Sequence, residues 1–201
     1  MPPSPGWGDW YNFRNSHRLM AGRNLSITEK IPKFEEIAPV YAVIVMMIYP
    51  WTLARFFWRL SSWLYFSSAG EIAVIFAYMM VVNLIESVLV LLAPLLLSIV
   101  LPQKWFYDRF MTKGTLLVLF GLGYFMYFDN QLQYQTPFPV ELVSWTPAIA
   151  IAILGLVFLI DRYHFLDRIL DELSSRLLIF LYISIPVSLV SLLVVLIRNI
   201  I

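Results

Sequence analysis

The 201-residue sequence has no cysteine, only two histidines and few charged residues, which make up 13% of the chain. Without cysteine there can be no disulfide, thiol catalysis, S-palmitoylation or cysteine-ligated iron–sulfur cluster. His17 and His164 both lie outside the long apolar stretches, so we predict no metal site and no histidine-ligated pigment within the membrane. The only bound groups that we expect are lipids. A net charge of +1 predicts no nucleic-acid partner.

The sequence is instead rich in long apolar stretches. It is 60% hydrophobic, with a mean hydropathy of +0.76. A bilayer core about 30 Å thick requires about 20 residues of helix. We therefore predict an all-α, polytopic integral membrane protein, a bundle of about five transmembrane helices with amphipathic interfacial elbows. Residues 1–37 would form a polar or interfacial N-terminal arm, and residues 38–201 a single transmembrane domain. The five apolar runs are 38–54, 72–101, 115–128, 142–160 and 177–197.

The basic residues predict the orientation of the chain. With five spans, eleven of the 14 lysines and arginines fall on one side of the membrane. Cytoplasmic loops carry an excess of basic residues, so this side is predicted to be the inside. The N-terminus would then be inside and the C-terminus outside. The eleven residues are Arg14, Arg18, Arg23, Lys30, Lys33, Lys104, Arg109, Lys113, Arg162, Arg168 and Arg176.

The segment 50–66, PWTLARFFWRLSSWLYF, fits two interpretations. It can continue the first helix beyond the membrane, or it can lie flat along the outer interface, where tryptophan and tyrosine are enriched. Arg55 and Arg59 are four residues apart and therefore share one helical face. We expect them to contact lipid phosphate or a partner protein.

Several local patterns predict helix boundaries and interfacial segments. Ser68 followed by Glu71 predicts a capping box at the start of the second span. Thr146-Pro147 suggests that a helix begins at Pro147, after an N-cap at Thr146. The segments 105–111 and 164–173 are predicted to be amphipathic elbows on the inner interface or against a partner. Their charged residues are expected to contact lipid phosphate or a partner: Asp108, Arg109, Asp167 and Arg168.

The most specific polar feature inside an apolar run is the group Asn83, Glu86 and Ser87. Spacings of three and four residues place these side chains near one another on a helix. A charged carboxylate near the bilayer centre costs about 2.5 kcal/mol or more, so Glu86 must be neutral, paired or hydrated. One interpretation is a proton or ion pathway with Asn83 and Ser87 as hydrogen-bond partners. The other is interhelical hydrogen bonding that specifies packing.

The sequence contains no catalytic triad, paired-carboxylate, zinc, Walker or dinucleotide motif. We therefore predict an accessory or scaffolding subunit of a larger membrane protein complex. Its partners would be membrane lipids and other integral membrane subunits. Two alternatives remain: a small transporter or proton pathway that uses Glu86, and, last, a membrane-embedded enzyme acting on lipids. We expect a bacterial inner membrane, with an organellar inner membrane as the alternative.

Overall fold

The first helix, α1, runs from Phe34 to Trp63 and occupies the centre of the structure. The computed structural model describes residues 32–101, 109–134, 140–159 and 164–200. Four consecutive side chains of α1, from Ala42 to Val45, are at most 1% exposed. A helix that is buried on consecutive residues is surrounded by other elements, since those residues point in different directions. The neighbours of α1 are the second, third and fifth helices of the chain.

Within the described residues the chain is all-helical, which confirms the predicted fold class. After α1 come α2 (Ala69–Val100), α3 (Phe110–Tyr134), α4 (Val140–Leu159) and α5 (His164–Ile200). Four of these helices are long and apolar enough to cross a membrane, so the protein is a multi-pass integral membrane protein. They comprise α1, α2, the Phe110–Leu132 part of α3 and the Arg176–Ile200 part of α5. The apolar part of α4, Val143–Val157, is shorter.

The structure decides between the two interpretations of segment 50–66. Residues 50–63 belong to α1, which therefore continues through Pro50 rather than ending in a separate interfacial segment. Its 30 residues span about 45 Å, more than the thickness of a bilayer core. Pro50 is tolerated because it removes one hydrogen bond of the helix ladder without requiring the helix to end.

Two of the predicted helix boundaries have opposite outcomes. The capping box at α2 is confirmed: the Ser68 amide donates to Glu71 Oε2 at 2.8 Å, and the Glu71 amide donates to Ser68 Oγ at 3.4 Å. The predicted helix start at Pro147 is wrong, because α4 begins at Val140 and contains Pro147 in its interior. The hydroxyl of Thr146 instead bonds Tyr124 of α3, a tertiary contact that no local pattern reveals.

The second predicted elbow is continuous with the last span. Residues 164–173 form the first turns of α5, a single helix of 37 residues and about 55 Å. Among its described side chains, Arg176 donates to Glu172 across one helical turn at 2.6 Å. Most of the first predicted elbow lies outside the described residues, and the N-terminal arm up to residue 31 lies there as well.

Close packing between α1 and α3 depends on a glycine. A Cβ atom added at Gly114 would lie 3.3 Å from Val40 Cγ2 and 3.7 Å from Pro94 Cβ. Small residues at such positions let helix backbones approach closely in a membrane, where packing rather than the hydrophobic effect drives association. Large exposed apolar side chains are concentrated on α2, α4 and α5, as expected for helices that face lipid.

Candidate functional site: a cavity beside Glu86

Asn83 and Ser87 lie in the interior of the bundle. They are four residues apart on α2, and their exposed fractions are 1% and 0%. The Ser87 hydroxyl shares a hydrogen bond with the hydroxyl of Tyr41 on α1, with an O–O distance of 3.0 Å. It also lies 2.8 Å from the carbonyl oxygen of Leu84 on its own helix. The Nδ2 atom of Asn83 is buried with no hydrogen-bond partner in the described structure.

Glu86 lies on a more exposed side of α2 than these two residues. A step of three residues on a helix turns the side chain by about 60° from that of Asn83, and this turn moves Glu86 from the interior to an exposed position. Within the part of the chain that the structure describes, no hydrogen bond joins its carboxylate to Asn83, Ser87 or any other residue. The structure therefore places the three predicted residues on one segment of α2, but it does not bring them together as a hydrogen-bonded group.

The Glu86 side chain lines a partly open cavity of about 540 Å³ between α1, α2, α3 and α4. This is within the range of 300–1,000 Å³ that is typical of small-molecule sites. Its walls are apolar and include Ile48, Val90, Leu97, Leu117, Phe125 and Ile153. Among the lining residues that the structure describes, Glu86 has the one ionisable side chain. The cavity is therefore a hydrocarbon-lined site with a single carboxyl group.

Two residues without bulky side chains leave space at the cavity wall. Gly121 of α3 lines it, and a Cβ atom added there would meet nothing within 4 Å. Ala93 of α2 lines it too. The missing side chain of Gly121 therefore widens the cavity.

An ion pair lies just beyond the cavity end formed by Trp51. Arg55 Nη2 lies 2.5 Å from Asp129 Oδ2, and each side chain retains about 30% exposure. The Arg55 guanidinium also stacks over the Trp51 ring, 4.8 Å from its centroid. Cation–π stacking and a charge-assisted hydrogen bond both hold this arginine in place. We predicted Arg55 to contact lipid phosphate or a partner; its pairing with Asp129, 74 residues away, joins α1 to α3.

The remaining predicted interfacial residues are at separate places. Arg59 is exposed and lines a smaller cleft of about 190 Å³ with Arg55, Phe56, Trp63 and Met79. Arg109 is half-buried immediately before α3. Asp108 and the side chains of Asp167 and Arg168 lie outside the described residues, so their predicted contacts stay predictions.

Sequence reasoning missed a set of polar pairs that join the helices. The Tyr49 and Ser188 hydroxyls are 2.8 Å apart between α1 and α5, and those of Tyr124 and Thr146 are 2.9 Å apart between α3 and α4. The Tyr78 hydroxyl donates to Asn199 Oδ1 between α2 and α5 at 3.1 Å. The sequence does show single hydroxyl-bearing residues within the apolar runs, but it does not show which of them face each other.

The described residues contain no group of three or more histidine, cysteine, aspartate or glutamate side chains that could hold a metal ion. Comparison of the chain with protein-family models, with curated proteins and with solved structures gives no match.

Proposed function

We propose that the protein is an accessory or scaffolding subunit of a larger membrane complex, working through helix packing and partner docking rather than catalysis. The observation that carries the proposal is a set of polar side-chain contacts between the helices of the bundle. Each of the five helices is joined to a neighbour by a side-chain pair. In a membrane, interhelical hydrogen bonds and close packing specify a fixed arrangement of helices, which is what a scaffold requires.

The outer faces of the bundle suit contact with other membrane helices or with lipid. Ile183 and Leu193 on α5 and Ile151 on α4 are more than half exposed. The protein would be located in a bacterial inner membrane, with the N-terminus inside and the C-terminus outside. Gly114 near the start of α3 packs against Val40 near the start of α1, so Lys33 and Lys113 lie near one end of the bundle. The Tyr49–Ser188 and Tyr78–Asn199 contacts place the end of α5 at the opposite end, so Arg176 lies towards the same end as Lys33. The positive-inside rule supports placing that end in the cytoplasm.

Photo-crosslinking tests the assembly proposal. A photoreactive phenylalanine analogue replaces one exposed aromatic residue at a time, Tyr182 on α5 or Trp145 on α4. We expect irradiation of native membranes to join the chain to a second polypeptide of constant mass. The yield of this crosslinked product should not fall when the membranes are diluted with added lipid vesicles, because a bound partner does not separate on dilution. Adducts with lipid alone at both positions would contradict the proposal.

A second candidate, a small transporter or proton pathway, is favoured by one observation, the exposure of the Glu86 side chain on a cavity at the middle of α2. The test is reconstitution into liposomes that contain a pH-sensitive dye. A pathway through Glu86 predicts proton flux in the wild type and its loss in Glu86→Gln. Equal flux in protein-free liposomes and in both protein samples would exclude this candidate.

A further inference from the structure

We infer that the cavity beside Glu86 is a binding site for a lipophilic amine, a molecule with a hydrocarbon body and a single protonatable amino group. The inference does not depend on the assembly proposal, because the described cavity is formed by four helices of one chain. It is supported by the size and walls of the cavity, by the position of its carboxyl group and by the space at Gly121.

The size and walls of the cavity define the hydrocarbon body of the ligand. Along α2 the lining residues run from Glu86 to Leu97, about 16 Å of helix, and along α3 from Leu117 to Met126, about 14 Å. The cavity is therefore elongated and matches one extended alkyl chain rather than a whole helix of a partner. Its volume of about 540 Å³ is that of a site for one small molecule.

The carboxyl group defines the head of the ligand. Glu86 lies near the middle of α2, 17 residues after its start and 14 before its end. A carboxylate at this depth is costly unless it is neutralised. An amine accepts the carboxyl proton, and the resulting ammonium donates hydrogen bonds back to the carboxylate. In an apolar surrounding such a pair is held strongly, since little water competes for either charge.

Asn83 and Ser87 do not line the cavity, and Ser87 already bonds Tyr41. Among the lining residues that the structure describes, Glu86 is therefore the ionisable group that recognises the head group. This arrangement selects a cation over an alcohol or a carboxylic acid, because a neutral head gains one hydrogen bond and an acidic head is repelled.

Quenching of tryptophan fluorescence tests this inference. The protein is purified in a mild detergent and titrated with 12-bromododecylamine, whose bromine quenches tryptophan at short range. Trp51 lines the cavity and serves as the reporter. The substitution Trp51→Phe should remove the saturable part of the quenching and so identify the site. Matched probes are 12-bromododecanol, 12-bromododecanoic acid and 12-bromododecyl acetate, which differ from the amine in the head group.

Two variants and one matched control determine the outcome. Glu86→Gln keeps the size of the side chain and should weaken the apparent affinity for the amine at least about tenfold, because the charge of the partner is lost. Gly121→Leu should abolish saturable quenching, since the new side chain enters the cavity. Gly123→Leu on the same helix is the control: its Cβ also meets nothing within 4 Å, but Gly123 does not line the cavity.

The results that would overturn the inference are equally specific. Equal, saturable quenching by the amine and the alcohol would show that the head group is not recognised. Strong binding of the ester 12-bromododecyl acetate that persists in Glu86→Gln would indicate that the site binds a carbonyl group rather than an amine. The glutamine amide can still donate a hydrogen bond to such a carbonyl oxygen. Unchanged quenching by the amine in Gly121→Leu would place the amine elsewhere on the protein.

Discussion

The hydroxyl oxygens of Tyr49 and Ser188 lie 2.8 Å apart, although 139 residues separate them in the chain. Both residues are buried, and their hydrogen bond joins the central helix α1 to the last helix α5. Because α1 also bonds α2 through Tyr41 and pairs with α3 through Arg55, it connects three of the other four helices. The arrangement of the bundle is therefore set largely by polar contacts of a single helix.

Removal of the Tyr49 hydroxyl should destabilise the fold slightly but measurably. We expect Tyr49→Phe to lower the free energy of unfolding by about 0.5–1.5 kcal/mol, the usual net value of one hydrogen bond. Denaturation in mixed detergent micelles measures the change. A double-mutant cycle with Ser188→Ala should give a coupling energy of similar size. Tyr182→Phe, at an exposed tyrosine of α5, is the matched control. Equal effects of the two tyrosine variants would contradict the account.

Replacement of Gly114 should separate α1 from α3. In Gly114→Leu the added Cβ atom alone would lie 3.3 Å from Val40 Cγ2, and the rest of the side chain must fit into the same contact. We expect a loss of about 1–3 kcal/mol from overpacking, measured as a lower midpoint of thermal unfolding in detergent. Adding Val40→Ala should recover part of it. Gly123→Leu, in open space on the same helix, should stay within about 0.5 kcal/mol of the wild type. Equal losses for the two glycine positions would be evidence against this packing.

The Arg55–Asp129 ion pair should contribute more than an ordinary surface pair. Both side chains retain about 30% exposure, between the exposed and buried extremes, so we expect about 1 kcal/mol of coupling in a cycle of Arg55→Ala and Asp129→Ala. High salt should reduce the coupling. Arg59→Ala, one turn further along α1, removes an exposed arginine and should have little effect on stability. A coupling energy of zero would show that the pair does not join the helices in solution.

The orientation of the chain can be tested with little background because the sequence contains no cysteine. We predict that Ser62→Cys, exposed near the end of α1, reacts with a membrane-impermeant maleimide applied to intact cells. Ser4→Cys in the N-terminal arm should react after lysis only. Labelling of Ser4→Cys in intact cells, with protection of Ser62→Cys, would reverse the predicted orientation.

The helical fold and one helix boundary could be predicted from local information in the sequence. Apolar runs in a chain with few charges predict membrane helices, and the capping box at Ser68 and Glu71 involves residues three apart. Segment 50–66 could not be assigned, because aromatic residues and snorkelling arginines occur both on extended helices and at interfaces. Pro147 was wrongly placed at a helix start because proline is also tolerated inside membrane helices.

The candidate site was predicted in part. The sequence identifies Glu86 as an unusual residue, since a carboxyl group within an apolar run requires an explanation. It does not show which side of α2 faces the other helices. That choice depends on the tertiary neighbours, and it places Asn83 and Ser87 inside the bundle and Glu86 on the cavity. The cavity itself is built from four helices, so no local sequence pattern predicts it.

Native mass spectrometry of the protein ejected directly from membrane vesicles tests the central proposal most directly. An accessory subunit predicts a species heavier than one chain, which dissociates on activation into this chain and at least one different polypeptide at a fixed ratio. The mass of a single chain, with bound lipid at most, would contradict the proposal that the protein works within a larger complex.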